Sequence, residues 1–395
     1  MIALSGADLV LPDRVITRGS IVVDGGRIVA IESRAIDAAS NLTVVDVANH
    51  IIVPGFIDVH LHGIEDIDVL DGPEAVDDVA SRLPRYGVTA FCPTSIACTP
   101  QRLVTLLDAV TRARSAQRAG AARVLPAHLE SNFISPEWSG AQPVHCLRTY
   151  KSHGKRPEGD FAGHEILQAI VSHRSSVGIV TLAPEVSGGL DLVRDLVIAG
   201  HRVSLGHTGA SYEEARAAIA AGAHHATHLF NRMSSLTSRS PGVVGAVLES
   251  DAVAAEIICD GHHVHPSLVS MAIRLKSSSR MMAITDATAA AGLPAGTRTR
   301  LGDQTIIAGE NTALLENGTL AGSILTMDAA FRMLVNRIGL PLNDAARMCA
   351  TTPAAALQAG DIGSIAVGKS ADLAVLTRDL RVARTYVAGE PSYMS

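Results

Sequence analysis

The chain has 395 residues, of which 47% are hydrophobic and 18% charged, with a formal net charge of −6. That much apolar material fills a large core and excludes a disordered chain. With no basic block, the charge argues against nucleic acid held by phosphate contacts.

The N-terminus, from Met1 to Asp8, has no positive region before an apolar stretch, so no signal peptide is expected. No apolar run approaches the roughly 18–20 residues of a membrane helix, and a cytoplasmic protein is the expectation. The segment Ser20-Ile21-Val22-Val23, the turn Asp24-Gly25-Gly26 and residues 27–31 predict a hairpin. Further along, short apolar runs alternate with alanine-rich helical stretches. The predicted strands are 56–60, 88–93, 124–129, 177–182, 202–205, 224–228, 253–259 and 281–285; helices include 101–119, 190–199, 212–221 and 266–276. Eight such units fit a TIM-like (β/α)8 barrel in an α/β protein. The alternative, an open doubly wound sheet, lacks its glycine-rich phosphate loop after an early strand. Residues 297–320 read as a strand insertion, and 131–160 as a long polar loop of the kind that carries function. Residues 371–376 and 384–389 return to strand character. Residues 1–53 and 356–395 therefore form a small β-sandwich domain from both chain ends, around a barrel over 54–355.

Ligand-type residues fall where these strands end. His60 and His62 close the first strand, and residues i and i+2 of a strand share a face. Glu130 ends the third strand, His207 the fifth, His228 the sixth and Asp286 the eighth. In a closed barrel all of these meet at the C-terminal mouth. A single histidine or a lone HxH is a weak signal; the joint pattern is not. His145, His153, His164, His173, His201, His224 and His225 have no such position and read as structural or solvated. Cys92, Cys98, Cys146, Cys259 and Cys349 are odd in number without CxxC spacing, and read as core thiols. Trp138 fits a substrate wall and a loop anchor equally. Histidine and carboxylate donors suit one or two divalent ions, Zn²⁺ first, with Fe²⁺, Mn²⁺ or Co²⁺ as alternatives. An ion there brings a water's pKa toward about 7, and Asp286 is positioned to move that water's proton.

The chain resembles the N-acetylglucosamine-6-phosphate deacetylase family of the amidohydrolase superfamily over nearly its whole length. The segments that carry the resemblance include Asp58-Val59-His60-Leu61-His62-Gly63, His128-Leu129-Glu130, Thr181-Leu182-Ala183-Pro184-Glu185, Gly206-His207-Thr208, Asp260-Gly261-His262-His263-Val264 and Thr285-Asp286-Ala287-Thr288. The resemblance implies a barrel hydrolase that deacetylates an amino sugar phosphate. It implies principal metal ligands at Glu130, His207 and His228, and a second metal position at His60 and His62 that only some members have. Asp286 is implied as acid/base, His263 as the group polarising the amide carbonyl, and Asn231 and Arg239 as phosphate contacts. It also implies a homodimer in which Arg239 reaches the neighbouring active site. Three positions depart from the family pattern: Ser131-Asn132 replaces Gly-Pro, Gln142 stands where a histidine contacts a sugar hydroxyl, and Arg232 replaces alanine. Gln142 and Arg232 are therefore candidate substrate contacts. The departures leave open the same chemistry on another N-acyl amino sugar, of different epimer, acyl group or anionic substituent, or on an N-acyl amino acid. A non-catalytic scaffold is disfavoured because every ligand and Asp286 are retained.

Overall fold

The computed structural model describes residues 1–37, 42–150 and 160–395. Its barrel is parallel, with strands at Phe56–Leu61, Val88–Ser95, Ala127–Glu130, Val177–Leu182, Arg202–Leu205, His225–Ala226, Ala254–Ile258 and Met281–Ile284. The Val177–Leu182 strand is buried at every residue, as expected of a strand covered on both faces. The ring closes through a bridge from Leu61 to Ala287 and a 2.9 Å bond from the Asp286 N–H to the His60 carbonyl.

Two strands differ from expectation. The third is split: Arg123–Val124 pairs with the second strand, and Ala127–Glu130 pairs with the second and fourth. Pro126 lies in the gap and has no N–H to give to a ladder. The sixth keeps only His225–Ala226, because the backbone turns left-handed at His228 (φ 30°) and again at Phe230 (φ 79°).

Alanine-rich helices cover the outside. Pro100–Ser115 starts at Thr99, whose side chain accepts from the Arg102 N–H, and Tyr212–Ala220 starts with a Ser211–Glu214 capping box. With so few aromatics, Ala, Val, Ile and Leu make up most of the core. All five cysteines are buried and unpaired.

Strands from both chain ends build a separate eight-stranded sheet. Its seam is the antiparallel pairing of Ile51–Pro54 with Leu373–Leu376. Leu4, Leu9, Ile21, Ile28, Leu373 and Tyr386 belong to a core of its own. Arg123 binds Asp372 through a two-pronged ion pair at 2.9 and 3.2 Å, tying the barrel to this sheet. The insertion forms an antiparallel sheet of Arg298–Leu301, Gln304–Ala308 and Ala313–Leu315. It docks beside the mouth, with Arg300 on Asp71 at 2.9 Å and the Gly302 N–H on Asp68 at 2.7 Å. Among the described residues no helix is long and apolar enough to cross a membrane.

Candidate metal centre and active site

The predicted strand-end residues do meet at the mouth. His207, His228 and Asp286 all stand at positive φ, at 47°, 30° and 51°. Non-glycine residues rarely occupy this region, and a fold that holds three of them there spends backbone strain on aiming side chains. Hydrogen bonds fix the turns: the Ser135 N–H binds the His207 carbonyl at 3.0 Å, and the Asn231 N–H binds the His228 carbonyl at 2.9 Å.

The side chains form two poles. At the first, Glu130 Oε1 lies 2.7 Å from His207 Nε2 and 2.9 Å from His228 Nε2, and the two nitrogens are 3.0 Å apart. At the second, His60 Nε2 lies 3.3 Å from His62 Nε2, and Asp286 Oδ1 is 3.3 and 3.2 Å from those two nitrogens. Donors about 2 Å from one shared ion stand roughly 3 Å from each other. Two imidazole nitrogens facing each other at 3.0 Å beside a carboxylate are the donor chemistry of a cation site. The residues at both poles fit a divalent metal.

The electrostatics follow from burial opposed by pairing. Burial disfavours the Glu130 carboxylate, but His207 and His228 outweigh it and hold its carboxyl well below the usual range. Glu130 in turn holds His228 up at about 9 despite burial. Burial is likewise overcome at His62, where Asp286 and Glu130 raise the imidazole to about 9. At His60 burial wins, and its pKa falls to about 4. Asp286 stays below the ordinary carboxylate range, because His60 and His62 offset its burial.

A cavity of about 370 Å³ opens over both poles. His263, Asn231, Arg232, Gln142 and Trp138 all line it. The Gln142 amide is already engaged: its oxygen accepts from the Ala97 N–H at 2.8 Å, and its nitrogen donates to Glu130 Oε2. The Trp138 carbonyl faces His207 Nδ1 at 2.9 Å, and the residue also forms cavity wall. Ser131 and Asn132 lie away from the cavity wall. Ser131 binds the Thr181 carbonyl at 2.6 Å, and Asn132 donates to the Cys98 and Cys146 carbonyls at 2.7 Å each, so this departure ties the loop to the neighbouring second and fourth strand ends. Arg239 is exposed and does not line the cavity of its own chain. His153 lies outside the described residues.

The model of the Amidohydrolase family matches residues 51–391. The chain belongs to the amidohydrolase family. It is 34% identical to the N-acetylglucosamine-6-phosphate deacetylase of Bacillus subtilis (strain 168), over 98% of this chain and 96% of that one. It is 36% identical to the N-acetylgalactosamine-6-phosphate deacetylase of Escherichia coli O157:H7, over 86% and 87% of the two chains. The crystal structure of N-acetylglucosamine-6-phosphate deacetylase from Pasteurella multocida superposes with a TM-score of 0.88 at 31% identity, over 99% of each chain. This amidohydrolase is a hydrolase acting on an amide, in a family that typically uses a divalent metal.

The strand-end pattern left out a layer of acids behind the amidohydrolase site. Glu256, wholly buried in Ala254–Ile258, has Oε2 2.9 Å from His60 Nδ1. Asp58 accepts from the Thr285 hydroxyl at 2.5 Å and from the His60 N–H at 3.2 Å. Burial pushes both acids up to about 7. Asp260 accepts from the His262 and His263 N–H groups at 2.8 and 2.9 Å and faces His263 Nδ1 at 2.6 Å. The available signal was a single acid inside an apolar strand, and an acid three residues before His263. His128 belongs to a buried group with His60 and Glu256, but its ring nitrogens are taken by the Val59 carbonyl at 3.0 Å and the Thr181 hydroxyl at 2.7 Å.

Proposed function

We propose that this amidohydrolase removes the acetyl group of N-acetylglucosamine 6-phosphate, releasing acetate and glucosamine 6-phosphate. One observation carries this reading: Glu130, His207, His228, Asp286 and His263 border one cavity, with Asn231 and Arg232 at its rim. Its volume of about 370 Å³ is in the range of small-molecule sites. The deacetylase relatives support the substrate. The galacto epimer is the second reading, since one relative at 36% identity is an N-acetylgalactosamine-6-phosphate deacetylase, though N-acetylglucosamine-6-phosphate deacetylases match at the same level.

Glu130, His207 and His228 would hold a divalent ion, Zn²⁺ by donor type, which lowers the pKa of a water and polarises a carbonyl. Asp286 takes the water's proton as oxygen adds to the acetamide carbon. His263 donates from Nε2 to the oxygen that gains charge. Asp286 then returns the proton to the amine as the C–N bond breaks. Arg232, Asn231 and the partner subunit's Arg239 meet the phosphate, for which a guanidinium fork is well shaped. An exposed Arg239 outside its own cavity supports a homodimer. A phosphorylated sugar does not cross membranes unaided, which supports a cytoplasmic enzyme.

Acetate release from N-acetylglucosamine 6-phosphate with added Zn²⁺, beside the galacto epimer, tests the reading. A metal-loaded protein without turnover on either sugar would falsify it. Arg239→Ala is expected to raise KM about tenfold or more for the phosphorylated sugar and leave unphosphorylated N-acetylglucosamine unaffected. A monomer with wild-type KM refutes the shared site.

His263 has a defined pH behaviour. Its Nδ1 proton faces Asp260, so a neutral ring would present only a lone pair at Nε2. Donation from Nε2 therefore requires the imidazolium. Burial works against that charge, but Asp260 outweighs it and raises the His263 pKa. The donor is present below the raised value and is lost as pH climbs through it. In Asp260→Asn the alkaline limb of kcat/KM should move to lower pH, with activity at pH 8 down by up to ~100-fold. An unmoved limb excludes the imidazolium role.

A further inference from the structure

We infer that Glu256 is the positioning residue that makes His60 a metal ligand, so that the cation at the His60–His62–Asp286 pole depends on a carboxylate that never touches it. The inference rests on the metal reading of the site, not on the identity of the substrate.

A neutral imidazole carries one proton, and where both nitrogens face carboxylates the closer contact holds it, the more so when a cation takes the other side. Glu256 Oε2 stands 2.9 Å from His60 Nδ1. The proton therefore sits on Nδ1, and Nε2 aims its lone pair to where His62 Nε2 and Asp286 Oδ1 converge, 3.3 Å away in each case. The other histidines of the two poles are held differently. His62 and His207 turn Nδ1 toward the backbone carbonyls of Thr94 and Trp138, at 3.0 and 2.9 Å, and His228 Nδ1 has no hydrogen-bond partner among the described residues. Among these four, only His60 turns Nδ1 toward a carboxyl group.

That acceptor is costly to keep. Glu256 is fully buried in a strand that is otherwise Ala and Ile, and its Oε1 has no hydrogen-bond partner among the described residues, His128 Nδ1 standing off at 3.6 Å. A buried carboxylate with half its capacity unmet destabilises a core that an apolar residue would fill better. What the strand gains is the orientation and basicity of His60, since a carboxylate behind a ligating histidine strengthens it. Glu256 Oε2 also accepts from the His228 N–H at 3.3 Å. The first pole does not depend on that contact. Its turn is kept by the main-chain bond from the Leu229 N–H to the Glu256 carbonyl at 2.8 Å, which survives any change of side chain.

The test loads the full-length wild-type protein, Glu256→Leu and Glu256→Gln with Zn²⁺. Ions per chain are counted by plasma mass spectrometry, and site affinities are measured by competition with a chromophoric chelator. Wild type should hold two ions. Glu256→Leu removes the acceptor, frees the His60 proton to move to Nε2, and should hold one. Glu256→Gln keeps an acceptor oxygen but no charge; it should hold two, the weaker by about tenfold or more. A purely structural role would lower the melting temperature of the metal-free variants and leave both ions in place. One ion in wild type, or two at wild-type affinity in Glu256→Leu, overturns the inference. If Glu256→Leu does not fold, unchanged affinities in Glu256→Gln overturn it. A chain that binds two ions yet ignores both sugar phosphates sinks the proposed substrate and leaves the role of Glu256 standing.

Discussion

Asp286→Asn is expected to lower acetate release by about 10³-fold, within the range for loss of a general acid/base, while the Glu130–His207–His228 pole keeps its ion. The substitution isolates the proton transfer. Asn has nearly the volume of Asp and tolerates the left-handed backbone that residue 286 adopts at φ 51°, where Ala would be strained. Its amide cannot carry a proton from a water to an amine. In the native site burial disfavours the charge, yet His60 and His62 keep the carboxyl below its usual range, ready to accept. The same oxygen stands 3.3 and 3.2 Å from the two imidazoles, so Asn should also weaken the cation at that second pole. Single-turnover rates measured beside ion content separate the two effects. If turnover stays within threefold of wild type, the proton moves through another group.

What was legible in the sequence was whatever repeats with the barrel. Each ligand stands at or just past the end of a barrel strand, and closure of eight parallel strands brings all such ends together, so His60, His207, His228 and Asp286 could be assigned to one mouth from order alone. Where local backbone chemistry intervened, strand bounds shifted: Pro126 split the third strand, and the left-handed turn at His228 cut the sixth short. Side-chain partners across the barrel were not legible. Glu256 and His60 are 196 positions apart, and only the stagger of the strands sets the carboxylate behind the imidazole. Gln142 and Asn132 lie ten residues apart in one loop and look equally exposed to substrate as letters. Folded, one lines the cavity against Glu130 and the other binds two carbonyls away from it, one in the loop at Cys146 and one after the second strand at Cys98.

Glu130→Gln should empty the first pole and reduce acetate release by about 10³-fold or more, an effect typical of losing the group that sets up the attacking water. The loss of charge is one cause, because a neutral amide oxygen replaces an anionic donor beside two imidazoles. The second cause is directional. The Gln142 amide cannot turn to suit a new neighbour, since its oxygen is held by the Ala97 N–H at 2.8 Å, leaving its N–H pointed at residue 130. The new amide must offer its oxygen to Gln142 and so turn its own N–H₂ toward His207 and His228. Those hydrogens would bind the Nε2 lone pairs that lie 2.7 and 2.9 Å from the native carboxylate and occupy the space of the ion. Raising Zn²⁺ therefore should not rescue the variant, whereas a mere loss of affinity would be rescued. Ion content and acetate release measured across a Zn²⁺ series decide between them. The fold should survive, because the metal-free protein no longer buries a carboxylate there, and circular dichroism of the metal-free variant should match that of metal-free wild type. Recovery of wild-type kcat at saturating Zn²⁺ would reduce Glu130 to a residue that tunes affinity and assign the ion's position to the two histidines alone.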